Sequence, residues 1–161
     1  MKQTLKRTLQ LVIILITASL HGSAQNSNNN LAFSVLSPWN FTCNTVAAFE
    51  TDQVISNACK LSITAKTQNC SLYARISGYT VPAGYVPAGS PLGLVFSSTN
   101  SNLYANMASS VTLQTYDQLL FTQTKTSSVF DYYYNLKLFA LGYSYIPGNY
   151  SYTITFTMTQ P

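Results

Sequence analysis

Charge is scarce in this chain, and histidine scarcer still. Charged residues make up 7% of the 161 positions, and the one histidine, His21, sits at the end of an apolar N-terminal run. That run follows a basic start (Lys2, Lys6, Arg7), extends over Leu11–Leu20 and closes on Gly22-Ser23-Ala24, a small-x-small pattern that a signal peptidase accepts. The apolar stretch is shorter than the ~20 residues a helical span requires, so residues 1–24 read as a cleaved secretory leader. No later segment is long and apolar enough to span as a helix. The first cysteine is Cys43, far from the cleavage site, so a lipoprotein anchor is not indicated. Loss of His21 with the leader removes the commonest general base and the commonest metal ligand together. Ser-His-Asp and Cys-His catalysis are then excluded within one chain.

Other absences narrow the field further. There is no CxxC pair, no Gly-rich phosphate loop and no acidic loop dense enough for calcium. The four carboxylates, Glu50, Asp52, Asp117 and Asp131, are scattered. Glu50 and Asp52 read as a solvated loop pair rather than the two opposed carboxylates of a glycosidase. The expectation is a protein with no catalytic, cofactor or metal site, and not an enzyme. Cleavage after Ala24 leaves five cations (Lys60, Lys66, Arg75, Lys125 and Lys137) against those four acids, a net charge of +1. The high isoelectric point belongs to the leader. Nucleic-acid binding, which needs clustered cations to release counterions, is excluded on that balance.

What the chain does have is alternation. From Tyr150 the residues Tyr150, Tyr152, Ile154, Phe156 and Met158 interleave with Ser151, Thr153, Thr155, Thr157 and Thr159, the period of a half-buried strand. Pro147-Gly148-Asn149 reads as a hairpin loop joining that strand to one over Tyr134–Gly142, with Ala140 opposite Phe156. A second hairpin is expected from Lys60–Lys66 and Ser71–Ser77, whose alternate residues Leu61, Ile63, Ala65, Leu72, Ala74 and Ile76 face inward. Further short strands read at Leu31–Leu36, Trp39–Cys43, Leu92–Phe96, Val111–Leu113 and Leu119–Thr124. Asn44–Ala58 lacks a strong period, and the doubled VPAG of Val81–Gly89 reads as an exposed turn-rich connection, because its prolines remove ladder donors. Gln25–Asn30 is expected to be a flexible polar lead-in to a domain over residues 31–161. With eight or nine strands, turn signals every 8–15 residues and no convincing helix, the fold class is all-β, an antiparallel two-sheet sandwich.

Three cysteines, Cys43, Cys59 and Cys70, in an oxidising compartment allow one disulfide and one free thiol. On the hairpin register Cys59 and Cys70 stand too far apart to bond, which makes Cys43 the common partner, with Cys59 favoured over Cys70. Trp39 reads as a core anchor. Among the tyrosines, at least one of Tyr132, Tyr133 and Tyr134 must face outward if they lie on one strand. Tyr143 and Tyr145 fall on the face opposite the Tyr150 row. Tyr132, Tyr133, Tyr143 and Tyr145 are therefore the candidate binding surface, against the plainer alternative of inter-sheet packing.

The leader, the early cysteine pair and the closing Pro147-Gly148-Asn149-Tyr150 turn with its alternating strand to Thr159 resemble the secreted immunoglobulin-like sandwiches related to spore-coat U and chaperone–usher pilin subunits. The resemblance implies a non-catalytic secreted, periplasmic or cell-surface domain, a structural or adhesive subunit of an extracellular coat or fibre. Its partners would be other proteins or further copies of itself. Donor strands of such assemblies fill a groove of alternating hydrophobic pockets. Gln25–Asn30 is too polar for that, which argues against polymerisation by strand exchange. The alternative function is a carbohydrate-binding module using exposed tyrosines to hold glycans. A small outer-membrane barrel is disfavoured, because the last strand ends in Thr-Gln-Pro without a terminal aromatic.

Overall fold

Nearly every long apolar stretch of this sequence is rich in β-branched or aromatic residues, and nearly every one is a strand. The computed structural model describes residues 12–21 (as backbone), 29–86 and 89–160. Its strands are β1 (Val12–His21), β2 (Asn29–Val35), β3 (Asn40–Cys43), β4 (Gln53–Ala65), β5 (Cys70–Thr80), β6 (Leu92–Thr99), β7 (Tyr104–Ala105), β8 (Ser110–Thr112), β9 (Gln118–Gln123), β10 (Thr126–Leu138) and β11 (Asn149–Thr159). They form two sheets, ordered β3-β1-β11-β5-β9-β7 and β2-β4-β10-β6-β8. All pairings are antiparallel except that of β1 with β11, which is parallel. The fold is an all-β two-sheet sandwich.

The core lies between the sheets, and aromatic pairs bridge it. Phe33 of β2 stacks on Phe156 of β11 at 5.1 Å, and Phe121 of β9 stacks on Tyr132 of β10 at 3.9 Å. Trp39 is buried, meets Phe33 edge-on at 5.7 Å and donates its Nε1–H to the carbonyl of Ala58 at 3.0 Å. It is the core anchor its sequence context suggested. The alternating row Tyr150, Tyr152, Ile154, Phe156 and Met158 is also buried. Burying four or five such side chains at ~1.5–3 kcal/mol each is what holds β11 in place.

Neither of the two expected hairpins forms. β4 pairs with β2 and β10, whereas β5 pairs with β11 and β9. The connection from Lys66 to Asn69 therefore crosses from one sheet to the other. It is pinned by Thr67 N–H donating to Asn29 Oδ1 at 3.1 Å and by Lys125 N–H donating to Asn69 Oδ1 at 2.8 Å. The chain between β10 and β11 crosses in the same way. The physical reason is that alternation reports which face is buried, and two facing strands of a sandwich bury the same parity as two neighbours in a hairpin. The like-charged pair Lys60 and Arg75, implied by the hairpin register, is absent too: Lys60 lies 3.6 Å from Asp131, and Arg75 3.7 Å from Asp117.

Smaller differences have local causes. Asn29 and Asn30 belong to β2, because Asn29 is buried and its amide is used on both sides, donating to Cys70 Sγ at 3.5 Å and accepting from Thr67. The aperiodic stretch after Cys43 holds one helix, α1 (Val46–Glu50), capped by Thr45, whose hydroxyl accepts from Ala48 N–H at 3.1 Å. No helix among the described residues is long and apolar enough to cross a membrane. Gly22-Ser23-Ala24, the polar residues 25–28 and Pro87-Ala88 of the second VPAG lie outside the described residues.

Candidate functional site

Two groups of residues are candidates on sequence grounds, the cysteines and the tyrosines, and the structure adds a third. The cysteines are the first. Cys43, Cys59 and Cys70 are all buried free thiols, so the expected disulfide is not formed. Cys43 ends β3 in one sheet and accepts from Gln53 Nε2 at 3.1 Å, while Cys59 sits in β4 of the other sheet. Burial pushes the Cys59 thiol up to about 12 and raises those of Cys43 and Cys70 as well. Such thiols stay protonated and behave as small apolar side chains.

The tyrosines are the second group, and they do not form one surface. Tyr132 is fully buried and its hydroxyl donates to Gln123 Oε1, so it is a core residue rather than a binding residue. Gln123, buried with it, completes a closed network by donating to the carbonyls of Leu103 at 2.7 Å and Thr124 at 2.9 Å. Tyr134 is buried as well, and Tyr133, between them, is the half-exposed member of the row. Tyr145 is half-buried against Tyr85 at 5.4 Å and Tyr150 at 5.7 Å. Only Tyr143 is fully outward, at 77% exposure, and its hydroxyl donates to Glu50 Oε1 at 2.5 Å. The alternation through Phe139, Leu141, Tyr143 and Tyr145 stops being a strand because β10 ends at Leu138 and Gly142 takes φ +60°, starting a single 3-10 turn.

The third group, the apolar N-terminal run, was read as a leader and not as part of any site. In the structure Val12–His21 is β1 and fills a slot inside the six-stranded sheet. It runs parallel to β11 over nine register pairs, from Ile13 opposite Asn149 to His21 opposite Thr157. On its other side it runs antiparallel to β3, from Val12 opposite Cys43 to Leu15 opposite Asn40. Ile14, Ile16, Ala18 and Leu20 stand at the register positions of Tyr150, Tyr152, Ile154 and Phe156, the buried row of β11. β3 has no other strand partner among the described residues, and β11 has only β5 besides. Take β1 away and β11 becomes a sheet edge while β3 loses its ladder.

The residues that pair with β1 carry no charge, and they alternate between the apolar row of β11 and its serine and threonines. Among the described residues no three His, Cys, Asp or Glu side chains gather as metal ligands. Asp52 meets Lys137 Nζ at 2.6 Å and accepts from Ala140 N–H at 2.9 Å. These two bonds, with Lys137 the larger influence, hold its carboxyl below the usual range. Signals for the slot were present in the sequence: Val12-Ile13-Ile14-Leu15-Ile16-Thr17 is as β-prone as it is leader-like. The chain matches no protein-family model, and no curated protein is significantly similar to it.

Proposed function

We propose that this protein is a non-catalytic secreted or cell-surface structural subunit, joined to its neighbours by strand addition at the slot between β3 and β11. The observation that carries the reading is the position of β1. The stretch whose composition marks it as an export leader is also the stretch that completes the six-stranded sheet. If export removes it, nine residues of β11 and four of β3 lose their neighbour. Unpaired strand edges are a template for another chain, with main-chain hydrogen bonds supplying affinity and alternate side chains supplying specificity. The incoming strand would be apolar at every second position, as Ile14, Ile16, Ala18 and Leu20 are. The polar segment before β2 does not meet that requirement, so the donor belongs to another molecule, in keeping with a coat or fibre subunit of immunoglobulin-like type.

The test is light scattering with size-exclusion chromatography on a chain beginning at Gln25, with and without a synthetic peptide of the Val12–His21 sequence. Binding of one peptide per shortened chain, with any aggregation through the exposed edges suppressed, is the expected result. A shortened chain that is monomeric by itself and ignores the peptide would end the proposal.

A further inference from the structure

A cleft lies on the other flank of β11, where β9 stops following β5. The β5–β9 ladder ends at Ala74 opposite Gln118, and beyond it a single backbone bond, from Ile76 N–H to the Gln114 carbonyl at 2.7 Å, ties β5 to the chain entering β9. At the same place β5 carries a bulge against β11, between the Gly78–Thr153 and Ile76–Ile154 pairs, the kind of irregularity that re-aims side chains near binding sites. The result is a cavity of about 250 Å³ lined by Ile76, Tyr79, Ser90, Gln114, Thr115 and Tyr152. A second cavity of about 280 Å³ adjoins it along Ile76, Tyr79 and Thr115.

Its chemistry is specific. Tyr79 is half exposed and lies 6.3 Å from the ring of Tyr152, forming an aromatic wall. Tyr152 is 2% exposed, and its hydroxyl has no hydrogen-bond partner among the described residues. Buried hydroxyls are almost always satisfied, so one without a protein partner beside a cavity is a donor and acceptor that a bound molecule can meet. The side chains of Gln114 and Thr115 add amide and hydroxyl groups to the lining. Among the described residues no ionic group lines the main cavity, and Arg75, at the edge of the second, is held by Asp117 at 3.7 Å. A charged ligand would find no counter-charge. The volume falls just below the roughly 300–1,000 Å³ of pockets for drug-sized ligands, which suits one ring.

We propose that this cleft binds a single neutral sugar residue, stacked on Tyr79 and hydrogen-bonded by Gln114 and the Tyr152 hydroxyl. The cleft shares Tyr152 with the register of the strand slot, but sugar binding is read on the full chain with β1 in place, so the two tests fail separately. Saturation-transfer NMR on the full chain with glucose, galactose, mannose and N-acetylglucosamine reads it directly. At least one sugar should show transfer, and Tyr79→Ala should abolish it. Tyr152→Phe should weaken binding about threefold to tenfold, the worth of one neutral hydrogen bond. It should leave the melting temperature unchanged or raised, since the hydroxyl it removes supports nothing in the fold. No transfer from any of the four sugars would overturn the proposal and mark the cleft as a hydrated packing gap. Transfer that survives Tyr79→Ala would overturn it equally, placing the sugar elsewhere.

Discussion

The two sheets of the sandwich differ in where their strands come from. Every strand of the five-stranded sheet lies between Asn29 and Leu138, and its central strands β4 and β10 pair with each other over nearly their whole length. The six-stranded sheet instead holds β11 between β5 and a strand from the extreme N-terminal region, β1. One sheet is complete without the apolar leader-like run and the other is not. The contrast teaches that burial of side chains and completion of a hydrogen-bond ladder are separate requirements. β11 satisfies the first through its tyrosines, isoleucine and phenylalanine, and depends on another segment for the second.

The contrast can be broken most forcefully by deletion. A chain beginning at Gln25 should lose cooperative unfolding of the six-stranded sheet or melt far lower than the full chain, followed by circular dichroism. Point substitutions sharpen the same comparison. Ile154→Ala in β11 and Ile63→Ala in β4 both empty fully buried sites and should each cost ~2–5 kcal/mol in the full chain. In the shortened chain the Ile63 cost should persist while the Ile154 cost shrinks, because β11 is already loosened; chemical denaturation measures both. Tyr132→Phe leaves Gln123 unsatisfied between the sheets and should cost about 1–3 kcal/mol, whereas Tyr143→Ala on the exposed turn should stay within ~0.5 kcal/mol.

The cysteines extend the comparison to reactivity. Cys43 and Cys59 lie in different sheets, and Cys59 should resist a thiol reagent in the native state and react only on unfolding, followed by absorbance. The smallest effect concerns the ion pair of Asp52 with Lys137. Because the folded carboxyl titrates lower than the unfolded one, its contribution is present above the unfolded value of ~3.9 and is lost as pH falls through the folded value. Lys137→Met should therefore lower the melting temperature slightly at pH 7 and make no difference at pH 2.

Much of the strand inventory was legible in the sequence, and little of the pairing was. Period-two alternation located β4, β5 and β11 and their buried parity, since it follows directly from pleat geometry. It could not distinguish Lys66–Asn69 as a crossing between sheets from a hairpin turn, because both leave Leu61, Ile63, Leu72 and Ala74 buried. Tyr132 was misjudged for a related reason. Three consecutive tyrosines force one outward, and the outward one is Tyr133. Phe139–Tyr145 continues the alternation past the end of its strand at Leu138, beyond which Ala140 N–H donates to Asp52 and Gly142 turns the chain. The slot was least legible of all. A basic start, an apolar run and a small-residue end describe an export leader, and the same Val/Ile/Leu-rich run describes a buried strand.

The most direct measurement is amide hydrogen exchange across Tyr150–Thr157, comparing the full chain made without export against a chain beginning at Gln25. Strong protection in the full chain that is lost on shortening, while Leu61–Ala65 of β4 remains protected, is the result expected if β1 completes only the six-stranded sheet. Equal protection of Tyr150–Thr157 in both chains would contradict it, because β11 would then need no neighbour at the slot.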